Sequence, residues 1–516
     1  MLEVQGATRQ KPTGKRRHVL AWCLALCIVV SVAPSMAIAQ HRGLAPESQL
    51  ADYPTFGYDP GRSGINPLER TLSTGSVGQL ALRWKIQLPD AADSSAIELS
   101  SPPGLPGRRV ILVTTVRGTT LAVDEQTGRR LWSFAATRGQ SLADYRITTA
   151  TPAADPSRNW IYAASPDGRI HKLAVATGRE AAGWPVTVTL HPQDEKLSSA
   201  INVYGQTLFV TTSGYVGDFG HYEGHLVAID TRSRARQVFN TLCSQYTLLL
   251  AEQRRGPNYC TDIMSGVWAR GGAIVDTGKG SPTQGQLFIA TGNGPFNGRT
   301  NWGDSVLSLA RSPKRIRLRD SYTPANQADL NANDADLGST TPILLPKQPG
   351  RFPWLAVQGG KDNLLRVFNR ANLSGLHGPG HIGGELATVD MPRGGEMLTT
   401  GLAVVDRTLR TVVIVTNGNG VSALRVSSDR GKVSLRRLWS VSGEATSPVE
   451  ANGVLYVAGS SSLRALDVRT GHVLWSSDSL AASRSIGTIH WQSPIVVNGM
   501  IIVPDADGSL YAYGLR

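Results

Sequence analysis

The sequence is poor in cysteine and in charge. Only four cysteines occur in 516 residues. None stands in a C-x-x-C-H arrangement, which excludes a covalently attached c-type haem. No cysteine and histidine cluster has the spacing of a zinc site. Charged residues make up only 18% of the chain, against 55 glycines and 29 prolines. That balance fits many short strands joined by turns. The apolar run from Val19 to Val30 is too short to be a comfortable membrane span. Lys15, Arg16 and Arg17 precede it, and small residues in "AIAQ" at 37 to 40 allow cleavage after Ala39. Residues 1–39 therefore read as a secretory signal peptide, with an uncleaved anchor as the alternative. Leu26 in "LALC" is too large for a lipoprotein signal, so no lipid anchor is expected. The expected location is periplasmic or secreted.

Without residues 1–39 the chain carries 47 Lys and Arg against 38 Asp and Glu, a charge of +9. The excess is scattered apart from "SPKRIRLRD" at 312 to 320, which reads as a solvated outer strand. An exported chain has little access to nucleic acid, so none is expected as a partner. The charge favours anionic surfaces or ligands. Cys243 and Cys260 are the cysteines that remain. In an oxidising compartment the expectation is one disulfide, stabilising by roughly 3 kcal/mol.

What the sequence does have is a repeat. Residues 446 to 475 and 492 to 516 both read Ser-Pro, apolar strand, Asn-Gly turn, apolar strand, polar turn, strand. Asn-Gly between alternating apolar runs is a strong hairpin signal. Earlier copies are "RGTTLAVDEQTGRRLW" at 117 to 132, "DGRIHKLAVATGREAAGW" at 167 to 184 and "EGHLVAIDTRSRARQVF" at 223 to 239. Weaker ones begin at 304, 362 and 420, for eight in all. A small antiparallel sheet cannot bury both faces alone, and radial stacking buries them. The expected fold is all-β: an eight-bladed β-propeller of four-stranded antiparallel blades over residues 40–516, with a β-helix or open solenoid as the alternative. The strand "LALRWKIQL" at 80 to 88 can pair with the C-terminal strand and close the ring.

The D-x-x-T-G-x-x-x-W repeats resemble those of the quinoprotein alcohol dehydrogenase family, eight-bladed propellers that bind pyrroloquinoline quinone. The resemblance covers nearly all of the chain after residue 39. "SGVWARGGAIVD…LFIATGNGPFN" is similar to a family segment that runs Gly-x-x-Trp, strand, Thr-Gly-Asn, Pro-Trp-Asn. It implies Trp268 as the floor on which the quinone stacks and Asn293 as a side-chain oxygen ligand of calcium. Phe296 stands where the family has Trp. In "NANDADLG" the resemblance places Asp334 as catalytic base and Asp336 as the second carboxylate, although the Trp and Tyr of the family's Trp-Asp-Tyr-Asp are absent. In "VQGGKDNLLRVFNR" Lys361 matches the cation that contacts the quinone oxygens. In "GYVGDFGHYEGH" Asp218 or Glu223 stands for the calcium carboxylate, while Tyr222 and Glu223 occupy the region of the family's cofactor-facing Arg. The family's adjacent-cysteine ring is also absent.

Two functions fit these residues. One is oxidation of an alcohol or sugar with pyrroloquinoline quinone and Ca2+, passing electrons to a separate soluble acceptor. The other is a non-catalytic propeller whose channel or rim binds a protein, peptide or glycan. Each site residue also has a plainer reading: a polar loop for Asp334 and Asp336, a solvated lysine for Lys361, and a repeat-turn asparagine for Asn293, since "TNGNG" at 416 to 420 echoes "TGNG". His490 and Trp491 fall near a blade entrance, and there a hydrogen-bonded packing histidine is the expectation.

Overall fold

The computed structural model describes residues 51–251, 258–429 and 431–516. Among them are eight four-stranded antiparallel sheets. Blades 1 to 7 span residues 97–135, 153–187, 202–240, 274–322, 343–390, 402–442 and 449–476. Blade 8 takes three strands from residues 495–515, and its fourth, Leu80–Gln87, comes from the other end of the chain. That strand runs antiparallel to Ser509–Leu515, with Leu80 opposite Leu515 and Gln87 opposite Ser509.

Within a blade, exposure grows from the first strand to the fourth. In blade 1, Ile97–Ser100 is buried throughout, whereas Arg130–Ala135 is half exposed. The first strands therefore surround the axis and the fourth face solvent. The charged stretch at 312 to 320 feeds such an outer strand, Ile316–Tyr322.

The Asp-x-x-Thr-Gly turns explain how neighbouring blades lock together. Asp124 Oδ1 accepts hydrogen bonds from the Thr127 amide (3.1 Å) and hydroxyl (2.8 Å), and Gly128 closes the turn at φ +70°. A Cβ on Gly128 would lie 2.9 Å from the ring of Trp84, which belongs to blade 8. The pattern recurs one blade on, where a Cβ on Gly178 would lie 2.5 Å from the ring of Trp132. Each tryptophan seats on the next blade's glycine and donates its indole N–H to a backbone carbonyl there, Glu125 from Trp84 and Val175 from Trp132, both at 2.7 Å. The bare glycine admits the ring, and its left-handed φ makes the turn.

Residues 51 to 72 run across one end of the axis. The Pro54 and Pro60 carbonyls accept from Ala154 and Val275, at the far ends of the first strands of blades 2 and 4. Arg62 is buried and donates to Phe56, Ile201 and Gly271 carbonyls. Asn66 bonds to Val496 and Glu450 of blades 8 and 7. The opposite end, where the first strands begin, is where the cavity described next lies.

Candidate functional site

A cavity of about 330 Å³ opens among the loops that precede the first strands. Its wall includes Asp218, Trp268, Asp334, Asp336 and Lys361. The structure thus brings together five of the seven residues singled out in the sequence.

Trp268 lies on an extended segment leading into blade 4. Neighbouring amides hold that segment in place: Val267 N–H donates to the Thr212 carbonyl (2.9 Å) and Gly292 N–H to the Gly266 carbonyl (2.8 Å). Asp336 Oδ1 accepts the backbone N–H of Asn293 at 2.6 Å, and its Oδ2 meets Lys361 Nζ at 2.6 Å. Lys361 Nζ also reaches Asp334 Oδ1 at 3.0 Å and sits 5.5 Å from the centre of the Trp268 ring. Burial works against the Lys361 charge, but the two carboxylates outweigh it and its pKa is raised. Asp334 adopts φ +51° and is largely exposed toward the cavity side, whereas Asp336 is buried.

Asn293 is buried but does not form part of the cavity wall. Its backbone carries its contacts here, since the N–H holds Asp336 and the carbonyl accepts from Ser265 N–H at 2.7 Å. Asp218 faces the cavity at φ +51°, with Oδ1 accepting the Tyr222 hydroxyl at 2.6 Å. Burial, and next the Asp218 charge, raise the Tyr222 phenol, which keeps that proton in place. Glu223 is not with the others. Its side chain turns to His191 and Glu195, in a separate buried cluster.

Two further cations in the wall went unnoticed in the sequence. Lys196 forms a two-residue strand with Glu195 that pairs with Ser213–Gly214, and its side chain lines the cavity. Its pKa is lowered to about 8, chiefly by burial, with Asp93 opposing and nearby Arg270 adding to the drop. Arg270 donates to the carbonyls of Ser198 (3.2 Å), Asp93 (2.7 Å) and Thr149 (3.0 Å), so its guanidinium ties together loops from three blades. Among the described residues neither cation has a carboxylate at ion-pair distance. Arg270 lies two positions after Trp268 on one extended segment, a spacing that puts both on one side. No local pattern marks Lys196. Trp491 also lines the cavity, while His490 packs on it and bonds Asp93 Oδ2 at 2.9 Å.

A family model described as outer membrane protein assembly factor BamB, of the PQQ-repeat type, matches residues 78–293 and 411–515, more than half of the chain. The chain belongs to that family. No curated protein sequence matches it. Solved structures similar to this BamB-family propeller include the quinohemoprotein alcohol dehydrogenase from Comamonas testosteroni, at 14% identity and TM-score 0.61 over 90% of this chain and 80% of that one. A europium-containing methanol dehydrogenase is similar at 14% identity and TM-score 0.63, over 90% of this chain and 98% of that one. The fold of this BamB-family chain is that of the quinoprotein alcohol dehydrogenases.

Proposed function

We propose that this BamB-family propeller binds a flat aromatic polycarboxylate of the pyrroloquinoline quinone type and with it oxidises the hydroxyl of an alcohol or sugar. The observation that carries the reading is the make-up of one cavity. An indole face lies beneath an ammonium, and among the described residues two more cations, Lys196 and Arg270, have no carboxylate at ion-pair distance. A planar ring wants an aromatic face. Its carboxylates want cations, and a wall of this kind supplies them without the arginine that Tyr222 and Glu223 replace.

A bound quinone would supply the hydride acceptor. The chain's own part is to hold the substrate hydroxyl near Asp334, whose carboxylate accepts the hydroxyl proton, with Asp336 fixed behind it by Lys361 and Asn293 N–H. Electrons would leave to a soluble acceptor, because the sequence has no haem-attachment motif. Calcium enters the reading through Asp218 on the cavity wall and through Asn293, whose buried side chain lies off the wall and would have to turn inward. Its ligation would exchange the Tyr222–Asp218 bond and part of the Lys361–Asp336 pair, since calcium takes six to eight oxygens. The basic, apolar and small-residue pattern of residues 1–39, together with the Cys243–Cys260 disulfide, supports a location in the periplasm or outside the cell.

A second reading has its own observation. Tyr145, Val216 and Phe219 are 44%, 88% and 41% exposed at the cavity rim, and the rings of Tyr145 and Phe219 lie 5.1 Å apart. Such a rim suits a non-catalytic propeller that docks a protein, peptide or glycan.

Calorimetric titration of the chelator-treated protein with pyrroloquinoline quinone, with and without calcium, separates the two. Binding that is lost in Trp268→Ala and weakened in Lys196→Met is the expected result. No heat at saturating quinone would sink the enzyme reading and turn attention to the rim.

A further inference from the structure

Behind the strand that presents Lys196 to the cavity lies a second group of polar side chains. Successive strand residues point to opposite faces. Glu195 therefore points away from the cavity, toward His191 and Glu223. One potential ligand atom from each of these three residues lies within 4.8 Å of the others, and all three residues are no more than 2% exposed. Among the described residues two of their atoms are buried without any hydrogen-bond partner, His191 Nε2 and Glu223 Oε2. Buried polar atoms in native proteins are nearly always paired, so two unpaired atoms within one three-residue cluster call for an occupant.

The neighbouring hydrogen bonds hold these side chains in place. His191 Nδ1 lies 3.3 Å from the His221 carbonyl, and a donor there fixes the tautomer that leaves the Nε2 lone pair free. Glu195 Oε1 accepts from His225 Nε2 at 2.9 Å and Oε2 from the Thr189 hydroxyl. His225 is oriented in turn by Asn240 Oδ1 at 2.8 Å, because the Asn240 amide donates to the Tyr246 and Leu248 carbonyls. Glu223 Oε1 meets His221 Nε2 at 3.0 Å, and that same nitrogen is 3.1 Å from the Cys260 carbonyl in the disulfide-closed loop.

We propose that His191, Glu195 and Glu223 form a binding site for a divalent transition-metal ion of the zinc class, with a water as fourth ligand. One imidazole and two carboxylates balance a charge of +2, and the imidazole favours zinc over calcium. The site is separate from the quinone cavity and stands or falls independently of it. The two are joined through the Glu195–Lys196 strand and through the adjacent Tyr222 and Glu223, so metal ligation would fix the backbone that carries Lys196.

The test is titration of the chelator-treated protein with Zn2+, with metal content by mass spectrometry, the thermal midpoint, and the visible spectrum of the Co2+ form. One equivalent per chain, a raised midpoint and a tetrahedral Co2+ spectrum are expected. Glu223→Gln should fold with a midpoint no lower than that of the metal-free parent, because it removes a buried carboxyl, and should lose the zinc-dependent rise. His191→Gln should lose it too, while Asn293→Ala in the other site should retain it. No uptake by the parent protein would overturn the proposal, as would uptake undiminished in both Glu223→Gln and His191→Gln.

Discussion

Gly292 leaves no room for a side chain. A Cβ there would lie 2.3 Å from Asp336 Oδ1 and 3.1 Å from Trp268 Nε1. The "TGN" motif is a place of close approach, and the approaching groups are the carboxylate and the indole. Sequence reasoning found Asp334, Asp336 and Lys361, because each sits in a short segment whose chemistry is local. It expected the Asn293 side chain to be a metal ligand; in the structure the Asn293 backbone N–H holds Asp336. It did not find Lys196, Arg270 or the His191, Glu195 and Glu223 cluster, because those come together only when separate loops fold. Buried acids elsewhere govern the pH response. Burial raises Glu125 to about 7, with Glu98 beside it also raised by burial and the Glu125 charge, and burial raises Asp304 to about 8. The folded state keeps these protons after the unfolded chain has released them. The stability they contribute is complete below the ordinary carboxylate range and is lost as pH rises toward about 8. Urea midpoints should therefore fall between about pH 5 and pH 8, and Glu125→Gln should flatten that fall and raise the midpoint at pH 8. An unchanged slope would show that other groups dominate.

The blade is the scale at which sequence and structure agree best. An Asp, a Thr and a Gly within five positions specify a turn by hydrogen bonds internal to it, and the Trp that follows has one place to go. Blades 4 and 5 were harder to see for a physical reason. At 312 to 315 blade 4 closes its last turn with a Ser312 N–H to Arg315 carbonyl bond instead of the Thr-Gly turn. Blade 5 inserts residues 370 to 386 between its third and fourth strands. If the tryptophan and glycine contact locks the blades, Gly178→Ala should destabilise the ring by about 1–3 kcal/mol, since the new methyl meets the Trp132 ring at a residue with φ +69°. Denaturant midpoints measure it. A neutral result would mean that the indole can shift without loss.

At the scale of the whole molecule the ring depends on partners remote in sequence. Arg83 donates to the Leu515 carbonyl across 432 positions. Deleting residues 509–516 removes the third strand of blade 8 and the mate of Leu80–Gln87. The expected product is an expanded, protease-sensitive chain by size exclusion and limited proteolysis, and a compact product would show that seven blades suffice. The placement of that seam also sets a schedule. Until Leu515 has left the ribosome the strand Leu80–Gln87 has no neighbour, so a growing chain remains an open arc however many blades have formed. An arc can still be threaded through a narrow pore in a way that a finished ring cannot. A ring fastened by Ser509–Leu515 against Leu80–Gln87 thus opens at one seam and nowhere else needs to part.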